Sequence, residues 1–310
     1  MSNAIVQQNA KKLSFSMTIS QSGYMNFINK SLGDPKRAGR FVSAITSAVV
    51  TTPALQECDA MSIVSAGLLG ESLSLSPSPQ LGQYYLVPFK DNKNDRKVAQ
   101  FILGYKGYIQ LAIRSGYYKK MTVLAIKEGE LEYFDPLNEE IKINLNVEHW
   151  DERESAPTVG YYAMFEYVNG FRKAIYWSKG KMLAYADKYA PAFSKDETTI
   201  SVKGKKKTKV SYEDYEKGIY PQEDAWMYSS FWYNDFDGMA YKTMLRQLIS
   251  KWGIMSTEMQ DAYTRDGAMI NQDGSADFLE AEDYQSPGGE SADEVIEQNE
   301  PTEEVDINEI

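Results

Sequence analysis

Between Tyr105 and Ser115, the residues Lys106, Gln110 and Arg114 recur at i, i+4 and i+8, a spacing that stacks two cations and an amide on one helix face. Lys119 and Lys120 carry the charge just past the end of that segment. Such a line suits phosphate oxygens, because it neutralises a charged backbone without reading base edges; a plain solvated face would have the same composition. Arg172 and Lys173 open a strand, Lys181, Tyr185 and Lys188 fall at helical spacing, and Lys242 and Arg246 do so again further on. Tyr84, Tyr105, Tyr117 and Tyr118 add flat faces, so cations and aromatics together supply the two parts of sequence-tolerant single-strand binding, a basic track and stacking surfaces. Most of the 22 tyrosines must still be packing residues, as the alternation Tyr161, Ala163, Phe165, Tyr167 indicates. The run KGKKKTK from Lys203 to Lys209 has five lysines and no apolar anchor, so it reads as a flexible loop that either gathers a second strand or keeps the chain soluble.

Other chemistries lack their residues. A nucleotide-driven machine needs Gly-x4-Gly-Lys-Ser/Thr, and the two Gly-Lys steps, Gly180-Lys181-Met182 and Gly204-Lys205-Lys206, do not fit. His149 is the only histidine, and neither a Gly-x-Ser-x-Gly elbow nor an HExxH helix is present. A lone histidine beside Trp150 at a strand end reads as structural. Asp135-Pro136 followed by Glu140-Ile141-Lys142 contains the Glu-x-Lys of some metal-dependent nucleases, but the spacing is short and Asp-Pro is reversed. Acids flanking a lysine on an exposed strand account for it as well, and the nuclease stands as the rival reading.

The elements that must position these residues follow from periodicity. Tyr24 to Leu32, Arg37 to Val50 and Ala60 to Glu71 read as amphipathic helices, the last ending in the breaker-rich SLSPSPQLG. Gln83 to Phe89 and Val98 to Leu103 flank the polar DNKNDRK as a hairpin, and Gly104 to Ser115 returns to helical spacing with Gly116 as its stop. Met121 to Ile126 and, more weakly, Ile141 to Val147 read as strands. Val159 to Trp177 is an aromatic hairpin split by Asn169-Gly170, which suits a two-residue type I′ turn. Lys179 to Tyr189 reads as a helix, and Glu223 to Trp252 as a long helical region with a break at Gly238, along which Tyr241, Leu245, Leu248 and Trp252 face inward.

At 310 residues, 43% hydrophobic and 13% aromatic, the chain can bury a sizeable core in one large domain or two packed ones. Its net charge of -11 is unevenly placed: the first 265 positions hold 33 basic and 29 acidic residues, a surplus of +4, while Asp266 to Ile310 carry -15. The expected organisation is a flexible 1–20, a domain over 21–263, and an acidic disordered tail over 264–310 whose apolar content cannot offset its ordering entropy. One cysteine, Cys58, excludes an internal disulfide, the start lacks a secretory apolar region, and no stretch could span a membrane. A reducing, cytoplasmic setting is expected.

The blocks GLLGESLSLSPSPQLGQYYLVPF (Gly67 to Phe89) and FILGYKGYIQLAIRSGYY (Phe101 to Tyr118), with GYYAMFEYVNGFRKAIYWSKGKM and Met239 to Trp252, resemble the RecT family of phage and prophage strand-annealing proteins over about residues 20 to 253. The resemblance implies an α+β fold related to Red beta and eukaryotic strand-annealing proteins, a hairpin-rich antiparallel sheet packed with helices. It further implies single-stranded DNA binding, ATP-independent annealing through a duplex intermediate, and assembly into rings or helical filaments, with no covalent chemistry. By the resemblance Lys106 and Arg114 would contact the DNA backbone in a groove between the helical and sheet layers, with Lys119, Lys120, Arg172, Lys173 and Lys242 as companions; Tyr105, Gln110, Lys181, Lys188 and Arg246 join the candidate DNA-binding set on spacing alone. A phage exonuclease and the host single-strand-binding protein are the implied partners. No cofactor is required, and Mg²⁺ would stimulate by screening two approaching backbones. The helices over Tyr24 to Leu32 and Arg37 to Val50 would join neighbouring subunits. A protector that binds single strands without pairing them is the remaining alternative.

Overall fold

A computed structural model of the chain describes residues 13–202 and 205–279. It divides into two compact units, one built from residues up to Met182 together with Asn234–Leu279, the other from Leu183–Tyr233. The expected domain over 21–263 is therefore two units, and its boundaries move outward at both ends.

The first unit begins with α1 (Phe15–Ile19), whose Phe15 and Ile19 are buried, so ordered chain starts inside the segment expected to be flexible. In α2 (Ser22–Leu32) the helix stops at Gly33, which takes φ +67°. Asp34 then caps α3 (Pro35–Thr51) by accepting from the Lys36 amide at 2.9 Å, with proline at the first position, where a missing N–H costs nothing. The apolar face of α3, with Phe41 and Ile45, lies against Gly67 of α4 (Ala60–Ser72), so it is covered within the chain and does not await a second subunit. The helix α4 is buried along nearly its whole length. Its Gly70 lies so close to the Tyr84 ring that a Cβ would fall 2.3 Å away.

The strands β1 (Tyr84–Asp91) and β2 (Arg96–Leu103) form the expected hairpin in unbroken register from Tyr84↔Leu103 to Asp91↔Arg96. After α5 (Tyr105–Arg114), the chain makes β3 (Tyr118–Lys127), β4 (Leu131–Asp135), β5 (Glu140–Ile143), α6 (Trp150–Ser155), β6 (Thr158–Tyr167) and β7 (Arg172–Ser178). Strand β4 was not anticipated, and the weak strand expected over Ile141 to Val147 stops at Ile143. A three-stranded antiparallel sheet has the order β3-β6-β7. One of its faces meets a later helix through Tyr161, Phe165 and Tyr167. On the other, Ile126, Tyr162 and Met164 pack with Leu131, Ile141 and Ile143 of the β4–β5 hairpin.

The β6–β7 turn differs from the type I′ expectation. Gly170 N donates to Tyr167 O at 3.0 Å and Tyr167 N to Phe171 O at 2.8 Å, and Gly170 alone takes positive φ, +89°. This is a three-residue loop, a type I turn followed by a left-handed glycine, with Asn169 Oδ1 accepting from Phe171 N.

Helix α7 (Lys179–Tyr189) has the expected bounds and leads into the second unit. There the lysine-rich segment expected as a loop is a hairpin, β8 (Thr198–Val202) with β9 (Lys205–Lys209), followed by α8 (Tyr212–Glu216) and α9 (Phe231–Asn234). The anchor missing from the local sequence is aromatic and distant in sequence. Lys209 is buried, donating to Ala192 O at 2.8 Å with its ammonium 4.8 Å from the Tyr233 ring centre, within a cluster of Phe193, Tyr212, Tyr215, Tyr228 and Tyr233. Lys207 pairs with Asp224.

The long helical region expected over Glu223 to Trp252 is broken into a 3-10 segment (Gln222–Tyr228), α9 and α10 (Phe236–Trp252). The break falls at Asp235, not Gly238: Asp235 leaves helical geometry and its carboxylate caps α10 through Gly238 N at 3.0 Å. Gly238 serves that cap, since a Cβ there would sit 2.2 Å from the carboxylate.

Chain order persists past Thr264, contrary to the expected disordered tail. After α11 (Thr257–Thr264), β10 (Ala268–Ile270) pairs with β2 at Ala268↔Phe101 and β11 (Ala276–Asp277) extends that sheet, giving the order β1-β2-β10-β11. Ala268, Met269 and Ile270 are buried. Averaging composition over the acidic stretch hid three apolar residues with a strand to join. The rest of the expected tail, 280–310, and residues 1–12 lie outside the described residues. The outcome is an α+β fold of antiparallel hairpins packed with helices, as expected.

Candidate nucleic-acid interface

Helix α5 follows Gly104 at its N-cap and buries Gly107, Tyr108, Leu111 and Ala112, which turns Lys106, Gln110 and Arg114 outward. The glycines set what lies beside this row. A Cβ at Gly104 would sit 2.1 Å from Gly82 O, and one at Gly107 would sit 2.2 Å from Gln83 O, so the loop before β1 rests its backbone directly on the first turn of α5. Gly104 N also donates to Gln83 O at 2.9 Å. Gly82, at φ +61°, keeps the space between the Lys106 stem and the Tyr85 hydroxyl open. The Lys106 ammonium stands 5.8 Å from the Tyr105 ring centre, and Tyr105 meets Tyr241 edge to face at 5.4 Å. Burial, and then the nearby Asp235 charge, push the Tyr85 and Tyr105 hydroxyls up, so both stay neutral donors at ordinary pH.

Arg114 is in part a structural residue. Its guanidinium donates to Leu73 O at 2.6 Å and Ser74 O at 3.4 Å, satisfying carbonyls at the end of α4 where Ser74 takes φ +52°. Lys106 and Gln110 are thus the members of the row that project into solvent.

A second group gathers at the ends of the three-stranded sheet. Lys120 and Arg172 both lie in register with Glu166, and Lys119 pairs with the same carboxylate at 2.6 Å. The Lys119 hydrogen bond and charge, with Lys120 and Arg172 adding to them, hold the Glu166 carboxyl below its usual range. Three cations around one acid leave a positive surplus. Arg172 also donates to the Tyr162 hydroxyl at 3.3 Å.

The remaining predicted residues divide. Lys173 is buried, paired with Glu139, with its ammonium 3.6 Å from the Trp252 ring centre. Lys181 lies over Trp177 at 4.5 Å, while Lys188, in the second unit, lies 5.2 Å from the ring of Tyr189. Lys242 and Arg246 are withdrawn from the interface: both are paired with Asp266, at 2.8 and 3.4 Å, and the Arg246 guanidinium lies 4.1 Å from the Tyr263 ring centre. The Asp266 carboxylate is itself buried and accepts from Leu103 N at 2.9 Å, so it ties α10 to the end of β2. Sequence reasoning missed Glu166, Asp266, Tyr85 and Trp252. Trp252, expected to face inward, is 48% exposed. Only the cross-strand pairing of Lys120 and Arg172 with Glu166 could have been foreseen, once the β3–β6–β7 register was drawn.

The rival nuclease trio gains no support. The Asp135 carboxylate accepts from Leu137 N, Asn138 N, Asn138 Nδ2 and the Tyr133 hydroxyl, which is the work of a turn, and Lys142 pairs with Glu132. Among the described residues no cluster of three or more acids, histidines and cysteines is placed to hold a metal ion. His149 is exposed at the start of α6. No helix among the described residues is long and apolar enough to cross a membrane.

Comparison with known proteins adds an independent line. The model of the family described as RecT family matches residues 39–280. An uncharacterised protein, YqaK of Bacillus subtilis (strain 168), is 38% identical over 227 residues, which cover 73% of this chain and 63% of that protein. Protein RecT of Escherichia coli (strain K12) is 35% identical over 136 residues, 43% of this chain and 49% of that one. The matches therefore span about half to just under two thirds of the relatives' lengths.

Proposed function

Because the chain belongs to the RecT family, we propose that it binds single-stranded DNA and anneals complementary strands without ATP. The observation that carries this reading is the row of Lys106 and Gln110 on a helix whose opposite face is buried and whose first turn is braced by the Gly82–Gln83 backbone. A cation and an amide on a rigid element can hold phosphates in a fixed track without contacting base edges. The bases then stay available to a second strand, and specificity comes from pairing. The Lys119, Lys120 and Arg172 group extends the positive surface, with Glu166 moderating its strength. Annealing breaks and makes no covalent bond, in keeping with the lack of a phosphate-cradling loop in the sequence.

On this reading several subunits line up along one strand as a ring or helical filament. Because the Phe41 face of α3 is already covered, contacts between copies must use other surfaces. Mg²⁺ would act by screening the two backbones, and a phage exonuclease and host single-strand-binding protein would work on the same strands. A cytoplasmic setting in a bacterial host follows from that substrate.

The test is the pairing rate of two labelled complementary oligonucleotides without nucleotide, at two salt concentrations. Wild type should accelerate pairing. Lys106→Glu should slow it at least about tenfold, the order expected for loss of phosphate contacts, and Glu166→Gln should tighten binding most at low salt. Tight binding without acceleration would leave a protector, and shortened strands in Mg²⁺ would revive the nuclease.

A further inference from the structure

A second feature lies away from α5, around the free edge of β7. Among the described residues strand β7 pairs only with β6, and a cavity of about 560 Å³ wraps that edge, walled by Phe134, Tyr176, Trp177 and Trp252 with Lys173 and Lys181. Trp252, the last residue of α10, is held in place by its neighbours. Tyr167 Oη donates to Trp252 O at 2.9 Å and accepts from Ile254 N at 2.7 Å, while Tyr118 Oη donates to Ile254 O at 2.8 Å. Despite these ties the indole remains 48% exposed. With Phe134, Tyr176 and Trp177 it forms a contiguous aromatic lining to the cavity, and a contiguous exposed apolar patch, unlike a single exposed ring, marks a binding surface.

Each of the two tryptophans carries an ammonium, Lys173 over Trp252 at 3.6 Å and Lys181 over Trp177 at 4.5 Å. Burial first, and then the charge of Lys251, lower the Lys181 ammonium's tendency to stay charged, and a nearby anion would favour its charged form. The unit of ring plus cation occurs twice in one cavity, and because Glu139 already neutralises Lys173, Lys181 is the cation offered to a phosphate. Single-stranded nucleic acid repeats a flat base and a phosphate at each step, so this alternation matches it better than it matches a peptide.

We propose that the β7-edge cavity is a stacking subsite for the bases of single-stranded DNA, with Trp252 as platform and Lys181 as a phosphate contact. This rests on the DNA-binding reading above and adds to it a place where bases, not only backbone, touch the protein. Contact through the π-face tolerates any base, so the subsite would hold a strand without selecting its sequence.

The experiment uses the full chain and two oligonucleotides of equal length, an oligothymidylate and its abasic counterpart. Trp252→Ala should weaken oligothymidylate binding about tenfold, the order of one lost stacking contact, and leave the abasic strand unaffected. Trp252→Phe should recover most of the loss, and Lys181→Ala should weaken both ligands. Independently of any variant, an oligothymidylate carrying 4-thiothymidine should photo-crosslink to wild type within 172–182 or at Trp252. Crosslinks found only elsewhere, or a Trp252→Ala variant that loses both ligands equally, would overturn the subsite. If Lys106→Glu still weakens DNA binding in that case, the annealing reading survives. Failure of wild type to bind either strand would remove both. Displacement of the tryptophan fluorescence signal by poly-glutamate but not by oligothymidylate would assign the β7 edge to an acidic peptide instead.

Discussion

At the scale of single residues, charge placement separates groups that serve the surface from groups that serve the interior. Glu130 and Arg153 are both buried and meet through two hydrogen bonds, at 2.6 and 3.1 Å, and Arg153 also donates to Ala125 O at 2.9 Å. Burial alone would raise the Glu130 carboxyl. Bonds from Lys127 N, Arg153 and Asn146 N outweigh it and hold the group below its usual range. A depressed carboxyl stabilises the fold at pH above its unfolded value of roughly 4.3, and that stabilisation is lost as pH falls through the lower folded value. Glu130→Gln should therefore cost about 3 kcal/mol in urea denaturation at pH 7, with the gap to wild type closing as pH drops below about 4. A gap that stays constant down to pH 3 would mean that shape, not charge, is what Arg153 requires. The exposed Lys142–Glu132 pair offers the comparison, since Lys142→Ala should cost no more than about 1 kcal/mol. None of this was legible from sequence, because Glu130 and Arg153 lie 23 positions apart and nothing local marks either as buried.

At the scale of elements, periodicity was legible wherever an element is amphipathic or its ends carry the residues that stop it. Helix α5, hairpin β1–β2 and helix α7 all stand where their patterns place them. Misreadings occurred where a distant partner decides: the β8–β9 hairpin depends on an aromatic cluster, and the start of α10 depends on one aspartate cap. Glycines make the same point in energetic terms. Gly39 has nothing within 4 Å of an added Cβ, so Gly39→Ala should stabilise α3 by up to about 1 kcal/mol. Gly107→Ala has the same chemistry and the opposite expected sign. Its Cβ would press on the Gln83 carbonyl, costing about 2 kcal/mol in thermal denaturation and lowering DNA affinity as the loop moves away from Lys106. Equal effects of the two substitutions would show that the loop does not brace α5.

At the scale of the whole molecule, the expected boundary at Thr264 cuts through folded chain. Ending the protein after Thr264 removes Asp266, which neutralises Lys242 and Arg246, and β10, which pairs with β2. That truncation should cost several kcal/mol, since it leaves two cations without their carboxylate. Ending it after Leu279 keeps all of these contacts and removes 12 of the 44 acidic residues, which takes the net charge from -11 to +1. A chemical denaturation curve for each truncation checks this, and equal midpoints would refute the role given to Asp266. The sequence by itself determined the family, the helical and hairpin character of most segments, and the exposed row on α5, because these depend on residues within a few turns of one another. Tertiary structure alone decided which cations remain available. Lys242 and Arg246 have the same local pattern as Lys106 and Gln110, yet an acid some twenty residues further along folds back onto them. Charge availability depends on who lies across the packed interface, and a one-dimensional pattern does not contain that distance.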